Sequence, residues 1–304
     1  MSTNGKIVTG CLAPHPPHLV YASNPDRNEP RSRDAGPWKV LLDGYANLRR
    51  RLAQRDFDVI VVHTPHWKTV VGTHLLGVER FSGYSVDPIF PNLFRFRFDL
   101  KVDVELSRAI HDEGQEAGLV MKMMENPEFR VDYGTLTALH LTRPAFDLPI
   151  VCISSNRAYF YYSNEVGDRE MTALGQATRR AIRRTGRRAL CLASCSLSHR
   201  HFTEEPAIPE DPAFEGIYNQ NQRRWDEHIL DLIARGETRR VMDEMPDFIQ
   251  QTMSETSDGS LSWLLAAMDF PAIPGKVHAY GTVIGTGNAI VEWNLEPGGD
   301  EDGP

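Results

Sequence analysis

The chain has 304 residues, 41% of them hydrophobic, and its 33 Lys and Arg against 41 Asp and Glu give a formal charge of −8. This length can bury a substantial core in one large domain or two packed ones, and the acidic balance argues against nucleic acid as a partner. No signal peptide is visible and no apolar run approaches the ~20 residues that span a bilayer, so we expect a cytoplasmic protein with no membrane partner.

Short runs rich in Val and Ile alternate with helical patterns along the chain. The predicted strands are residues 6–12, 58–62, 148–154, 189–193 and 280–284. The predicted helices are residues 38–55, 104–117, 170–185, 225–235 and 259–268. This alternation predicts an α/β fold, with a mostly parallel or mixed central sheet, helices on both faces and an active site at the carboxyl ends of the strands.

Two stretches are predicted to be neither strand nor helix. Residues 21–36 are polar, contain two prolines and are long for a loop, which is typical of a lid or a binding loop. Residues 87–98 mix prolines with aromatic side chains, which fits a substrate-lining segment, an interface or an ordered surface loop. Residues 296–304 are rich in Gly and acidic residues, so we expect a disordered tail after a single domain of residues 1–295.

The four cysteines are expected to be buried, reduced thiols. They form no CxxC pair and their neighbours are apolar; they are Cys11, Cys152, Cys191 and Cys195.

Histidines occur in three groups, each soon after a predicted strand. They are His15 and His18 in APHPPH, His63 and His66 in VVHTPHW, and His199 and His201 in SLSHRHF. Because loops beyond the carboxyl ends of parallel strands line a shared crevice, these three loops can converge. Neighbouring prolines restrict the backbone and can hold an imidazole still, as a metal site requires. The pattern therefore predicts a metal or acid–base site.

The type of metal site stays open at this point. Two imidazoles and one carboxylate form the ligand set of non-haem Fe(II) enzymes, and a zinc hydrolase uses the same ligand types. Spacing does not identify the carboxylate among 41 Asp and Glu. A serine hydrolase is not favoured, because Ser196 and Ser198 lie outside any G-x-S-x-G turn.

Taken together, APHPPH, VVHTPHW, SLSH and SETSDGSLSW resemble the class III (protocatechuate 4,5-dioxygenase-type) extradiol dioxygenases. The segments NEPRS, SVDPIFPN, FRVDYGT and YGTVIGTGNA are similar to the branch of that family that cleaves 2-aminophenol. The resemblance extends from residue 6 to about residue 294. It implies that residues 1–295 form a single catalytic domain that uses Fe(2+), a small aromatic substrate and O₂.

The resemblance also implies roles for individual residues. His15 of the APH motif and His66 of the TPHW motif correspond to the two iron imidazoles, and Glu255 to the carboxylate ligand. His199 of SLSH corresponds to the acid–base histidine. Tyr133 stands in VDYG where many catechol-cleaving relatives have a histidine in VDHG. This departure fits the aminophenol-cleaving branch, and we expect Tyr133 to hydrogen-bond the hydroxyl or amino group of the substrate.

Other residues remain alternatives to this set. Asp258 is a nearby alternative carboxylate, and Glu204 and Glu205 are weaker ones. His18 and His63 then have supporting or structural roles. Ligand types alone do not distinguish Fe²⁺ from Mn²⁺.

The implied reaction is insertion of O₂ into 2-aminophenol, or a substituted 2-aminophenol, to give a 2-aminomuconate semialdehyde. The pKa of free histidine, near ~6.5, suits His199 for taking and returning a proton near neutral pH. The alternatives are a catechol-type enzyme of the same family, a zinc-dependent hydrolase and a non-enzymatic scaffold. A related subunit without metal, or a second copy of this chain, is the expected protein partner.

Overall fold

The computed structural model describes residues 5–23, 36–69, 71–88, 91, 94–155, 164–199 and 215–296. The strands in this part of the chain are β1 (Lys6–Leu12), β2 (Val59–His63), β3 (Thr73–Leu76), β4 (Arg80–Val86), β5 (Arg95–Lys101), β6 (Met121–Met124), β7 (Ile150–Ser155), β8 (Arg188–Ala193), β9 (Lys276–Val283) and β10 (Thr286–Asn294). The α-helices are α1 (Pro17–Ser23), α2 (Lys39–Leu52), α3 (Val104–Glu116), α4 (Tyr133–Thr142), α5 (Asn164–Thr185), α6 (Gln220–Ala234), α7 (Thr238–Thr252) and α8 (Ser260–Ala267).

Eight strands form one mixed sheet in the order β6-β3-β7-β2-β8-β1-β10-β9. The four central strands β7, β2, β8 and β1 are parallel to one another. The hairpin β9–β10 continues the sheet antiparallel to β1, whereas β4 and β5 form a separate hairpin. The prediction of an α/β fold with a mixed central sheet is confirmed.

The central strands separate two hydrophobic cores. Every residue of β2 is buried, and its side chains alternate between the two faces because successive residues of a strand point to opposite sides. Val59 and Val61 pack in the core formed with α3, α5, α6, α7 and α8. Ile60 and Val62 pack in the core formed with α1, α2, α4 and the β4–β5 hairpin. The near-continuous apolar runs of the sequence follow from this burial on both faces.

The prediction that residues 87–98 contain no strand is wrong for the last four of these residues. Residues 95–98 begin β5, in which Phe96 and Phe98 are buried while Arg95 and Arg97 are exposed. This alternation is typical of a half-buried strand. The prediction that residues 21–36 contain no helix is wrong at both ends, because residues 21–23 belong to α1 and Gly36 begins a 3₁₀ helix, Gly36–Trp38. The remainder of the first loop (24–35), residues 89–90 and 92–93, and the tail from 297 onward lie outside the described residues.

The four cysteines are free and buried, as predicted. No helix in the described part of the chain has the length and apolar character needed to cross a membrane.

The sheet order brings the histidine-bearing loops together. Strands β2, β8 and β1 are neighbours and run in the same direction, so their carboxyl ends lie side by side at one edge of the sheet. His15 follows β1, His66 follows β2 and His199 follows β8. This edge contains the candidate site.

Candidate metal centre

Three potential metal ligands converge at the carboxyl ends of the central strands. His15, His66 and Glu255 each offer one donor atom, and these atoms lie within 4.8 Å of one another. The two Nε2 atoms are 2.6 Å apart, and Glu255 Oε1 is 3.5 Å from that of His15 and 3.4 Å from that of His66. Among the described residues, this is the one group of three or more His, Cys, Asp or Glu side chains with such an arrangement.

The orientation of the His15 ring is fixed by Ser194. The Ser194 hydroxyl donates a hydrogen bond to the carbonyl oxygen of Gly134 at 3.1 Å. It therefore accepts a hydrogen bond from His15 Nδ1, which lies 2.9 Å away. In the neutral ring this leaves the lone pair on Nε2, the atom that faces His66 and Glu255. Histidine ligands of metals are held in this way by a hydrogen bond on the other ring nitrogen.

Glu255 is held through the oxygen that does not face the histidines. It begins a 3₁₀ turn, Glu255–Asp258, between α7 and α8. Its Oε2 accepts hydrogen bonds from the backbone N–H of Ser196 at 2.7 Å and from the Ser196 hydroxyl at 2.9 Å. Oε1 is thereby directed toward the two imidazoles.

The VDYG segment builds the side of the site next to His66. Asp132 caps α4 by accepting from the backbone N–H of Thr135, and it also accepts from the Thr64 hydroxyl at 2.7 Å, which ties the loop after β2 to this helix. Tyr133 places its hydroxyl oxygen 3.0 Å from His66 Nε2. A Cβ atom at Gly134 would lie 2.8 Å from the His66 ring. Glycine therefore leaves the space that the imidazole occupies.

His199 lies beside the cluster without belonging to it. Its Nε2 is 3.9 Å from Glu255 Oε1, and its side chain is 29% exposed. The backbone around it is held by α6, because Gln222 donates to the carbonyl of His199 and Asp226 accepts from the N–H and hydroxyl of Ser198. The imidazole is thus positioned next to the candidate ligands.

The charges of the cluster fit a divalent cation. Burial opposes ionisation of Glu255, but the two histidines reverse this effect and hold the pKa of its carboxyl well below the usual value. Burial lowers the pKa of His15, and the neighbouring Glu255 outweighs burial and raises it. Burial and the charge of His15 lower the pKa of His66. One ionised carboxylate beside two convergent imidazole nitrogens is a donor set that a divalent metal ion satisfies.

An open cavity with a volume of about 100 Å³ adjoins the cluster. Its wall includes His199, Tyr133, Asp87, Ile284 and Asn288. Burial, followed by the carboxylates of Asp87 and Glu255, raises the pKa of the Tyr133 hydroxyl well above its usual value. The wall of the cavity is made of apolar side chains and a few polar groups, which is typical of a small-molecule site.

Asp258, the alternative ligand, is engaged elsewhere. His63 Nδ1 lies 2.7 Å from the Ser260 hydroxyl, and that hydroxyl donates to Asp258 Oδ2 at 2.7 Å. The backbone N–H of Ser260 donates to the other oxygen of Asp258. Burial and the charge of Glu255 raise the pKa of Asp258 to about 7. Asp258 and His63 thus form a buried network outside the three-ligand cluster.

His18 lines the cavity but is not in the cluster. Its ring packs edge-on against Trp38 with a centroid distance of 5.1 Å, and burial lowers its pKa to about 3. The ring is therefore neutral near pH 7. Three further candidates from the sequence, His201, Glu204 and Glu205, lie outside the described residues.

Several residues of the site were missed by the sequence analysis. Ser194 and Ser196 orient the candidate ligands, and Asn288 lines the cavity. The run SCSLSH directly after a buried strand was the available signal for the serines, since small polar residues in that position face the same crevice as the histidines. No comparable signal marks Asn288, whose position depends on the pairing of β10 with β1.

Residues 9–291 match a family model described as the catalytic LigB subunit of aromatic ring-opening dioxygenase. The chain is 50% identical to the 2-aminophenol 1,6-dioxygenase beta subunit of a Pseudomonas species, over 97% of this chain and 96% of that protein. It is 25% identical to the alpha subunit of 2-aminophenol 1,6-dioxygenase of a Pseudomonas species, over 86% and 93% of the two chains. It is 22% identical to the 3,4-dihydroxyphenylacetate 2,3-dioxygenase of Escherichia coli, over 90% and 94%. The crystal structure of an uncharacterized protein from Escherichia coli K12 superposes with a TM-score of 0.59 at 14% identity, over 94% of this chain and 99% of that one, and this likeness concerns the fold alone.

Proposed function

The chain belongs to the LigB family of aromatic ring-opening dioxygenases, as its motifs predicted, and from this premise we propose that it is an extradiol dioxygenase that cleaves 2-aminophenol or a substituted 2-aminophenol. The observation that supports this most strongly is the convergence of His15, His66 and Glu255 beside His199 at an open cavity. The expected product is a 2-aminomuconate semialdehyde.

In this proposal His15, His66 and Glu255 would hold Fe(2+). Two imidazoles and one carboxylate are the ligand set of non-haem iron oxygenases. When bound, the ion would supply the redox chemistry by bringing the aromatic ring and O₂ side by side. The role of Ser194 and Ser196 is to keep the donor atoms of His15 and Glu255 directed at that ion.

His199 and Tyr133 would handle protons and hydrogen bonds. His199 is near the candidate ligands but keeps its Nε2 3.9 Å from Glu255, so its imidazole can take a proton from the hydroxyl of a ring in the cavity and later return it. The Tyr133 hydroxyl lies 3.0 Å from His66 Nε2. It would donate a hydrogen bond to the oxygen or nitrogen substituent of the ring.

The names of the relatives support the choice of substrate and partner. The 50% identical protein is named for 2-aminophenol, and Tyr133 in VDYG fits an aminophenol rather than a catechol. The two Pseudomonas relatives are named as beta and alpha subunits. We therefore propose that this chain is the metal-binding member of a hetero-oligomer with a related subunit.

The test is anaerobic loading of the purified chain with Fe²⁺, followed by O₂ uptake with 2-aminophenol and with catechol. The wild type should bind iron stoichiometrically and consume O₂ faster with 2-aminophenol. Glu255→Gln should lose the iron, whereas His199→Gln should keep the iron and lose O₂ uptake. Asp258→Asn is the matched control, because it removes a nearby buried carboxylate and should leave iron binding intact.

The other outcomes are equally informative. Faster uptake with catechol would favour the catechol-type enzyme of the same family. Turnover of an ester or amide substrate without O₂ would favour a zinc hydrolase. Iron binding without turnover, followed by turnover on addition of a related subunit, would support the hetero-oligomer. A folded wild type that binds no divalent metal would contradict the metal site. The non-enzymatic scaffold would then be the remaining alternative.

A further inference from the structure

Ile284 occupies a backbone position for which its side chain is poorly suited. Val283 of β9 pairs with Thr286 of β10, so Ile284 and Gly285 form the turn between the two strands. Both have a positive φ, 48° for Ile284 and 74° for Gly285. A two-residue hairpin turn with two positive φ angles favours Asn followed by Gly. Gly285 fits this preference, whereas Ile284 is β-branched and does not.

A β-branched residue in this conformation calls for a reason outside the turn. The left-handed region crowds the branched side chain, and residues held there persist only where their surroundings fix them. Such residues cluster at active sites and ligand-binding positions. Asn or Gly would form the same turn at a lower cost. The contacts of the isoleucine side chain are therefore the place to look for its role.

Glu215 fixes the turn in place. Its carboxylate accepts hydrogen bonds from the backbone N–H of Ile284 at 2.7 Å and from that of Gly285 at 3.1 Å. The same carboxylate accepts from the indole N–H of Trp38 at 2.6 Å. Trp38 packs edge-on against His18, which lines the cavity. The turn is thus tied to a second part of the cavity wall, and this tie holds the backbone of Ile284.

Ile284 remains accessible at the cavity wall. It lines the cavity and, unlike the neighbouring Val283, it is only partly buried. Its side chain packs against the core formed with α1, α2, α4 and the β4–β5 hairpin. The apolar surface that stays uncovered loses its contact with water when an apolar ring enters the cavity, and this burial favours binding. Ile284 can therefore contact a ligand directly.

We propose that Ile284 binds the substrate through an apolar contact with the ring carbons, and that its left-handed backbone is kept because it places this contact. This proposal rests on the proposed function. In this arrangement the candidate metal ligands and His199 meet the polar substituents of the ring, and Ile284 meets its hydrocarbon part. A polar side chain at position 284 would instead leave a hydrogen-bonding group against the ring, which weakens binding.

The test compares substitutions that change one property at a time. Ile284→Val keeps a branched apolar side chain, and Ile284→Thr has nearly the shape of valine but carries a hydroxyl. Anaerobic calorimetry with the iron-loaded chain measures the binding of 2-aminophenol. Ile284→Val should bind within about threefold of the wild type, and Ile284→Thr about tenfold more weakly than Ile284→Val. The affinity for iron should be equal in all three proteins, because Ile284 is not among the candidate ligands.

Ile284→Asn tests the backbone part of the proposal. Asparagine is polar, as threonine is, but it suits the left-handed turn. The metal-free Ile284→Asn chain should melt roughly 2–5 °C above Ile284→Thr, while it still binds 2-aminophenol more weakly than Ile284→Val. A residue with a structural role alone would not couple higher stability to weaker binding. An Asn variant that melts at or below the Thr variant would contradict the strained backbone and, with it, the reason for the contact.

Failure of this proposal and failure of the proposed function give different results. If Ile284→Val and Ile284→Thr bind 2-aminophenol equally well, the role of Ile284 is wrong, and O₂ uptake by the wild type tests the proposed function separately. If the two variants differ as expected but the wild type consumes no O₂ with or without a related subunit, the proposed reaction is wrong and the contact stands. If the wild type does not bind 2-aminophenol, both are wrong.

Discussion

At the residue scale, two of the three candidate ligands are each oriented by one serine. Ser194 orients His15, and Ser196 orients Glu255. Ser194 accepts a hydrogen bond from His15 Nδ1 and donates one to the Gly134 carbonyl. Ser194→Ala should therefore free the His15 ring to rotate or change tautomer and should weaken metal affinity about 10- to 100-fold. Competition with a chelator of known affinity measures this. Ser107→Ala is the matched control, since Ser107 is buried and its hydroxyl has no partner in the described part of the chain.

Tyr133 gives a second prediction at this scale. Tyr133→Phe keeps the ring that packs against His66 at a centroid distance of 4.2 Å and removes the hydroxyl. If that hydroxyl hydrogen-bonds the substrate, iron content should be unchanged and kcat/KM for 2-aminophenol should fall about tenfold. Tyr84→Phe, at an exposed position away from the cavity, should change neither value. Loss of iron in Tyr133→Phe would instead mean that the hydroxyl supports His66.

How much of the site could be predicted differs from one residue to the next. Three histidine-bearing loops were predicted from their positions after buried strands, because parallel strands direct such loops to one edge. The choice of His15, His66 and His199 within those loops came from the family resemblance. Glu255 came from the family resemblance alone, since it enters the site from a turn between two helices, and no strand leads to it. The contact between Asn288 and the cavity arises from pairing between the two ends of the chain. Periodicity within a segment does not encode that pairing.

At the scale of elements, the missed helices and strands have physical explanations. Nearly all residues of α4 are buried, so this helix has no polar face. Its sequence therefore shows no helical alternation of polar and apolar residues. Helix α7 contains Pro246, which usually ends a helix. Strands β3 and β6 have four residues each, too few for an alternation to stand out. The central strands β1, β2, β7 and β8 have strong patterns and were predicted to within two residues, whereas the starts of α5 and α6 were predicted six and five residues too late.

The hydrogen bond between Asp226 of α6 and Tyr280 of the hairpin β9–β10 predicts a pH dependence of the free energy of unfolding. Burial raises the pKa of Asp226 to about 6, although Ser198 and Tyr280 donate hydrogen bonds to it. The folded protein thus holds this proton more tightly than the unfolded chain, where the pKa of Asp is ~3.9. The protonated carboxyl stabilises the fold below about pH 4, and this contribution is lost as the pH rises through about 6.

Asp226→Asn tests this dependence by removing the titration. The free energy of unfolding of the wild type should fall by on the order of 3 kcal/mol relative to the variant between about pH 4 and pH 7. Urea denaturation of both proteins across this range measures the difference. Curves that stay parallel would mean that Asp226 is ionised throughout or that the unfolded chain holds its proton equally well.

At the scale of the whole molecule, the candidate site exists only when the sheet is complete. His15, His66 and Glu255 follow β1, β2 and α7, which are far apart in the sequence and are packed together by the sheet and its two cores. An unfolded chain cannot hold the three donor atoms within 4.8 Å of one another. A metal ion that binds them therefore binds the folded state alone, and its binding energy adds to the free energy of unfolding.

The last prediction follows from this coupling. Metal at about 100 times its Kd adds ~2.7 kcal/mol to the free energy of unfolding, which for a chain of this size raises the Tm by roughly 5 °C. Calorimetry with and without Fe²⁺ under anaerobic conditions should show this rise, and a chelator should reverse it. Glu255→Gln should abolish the rise, while Asp258→Asn should retain it even if its starting Tm is lower. A rise of equal size in Glu255→Gln would mean that the ion binds elsewhere on the chain.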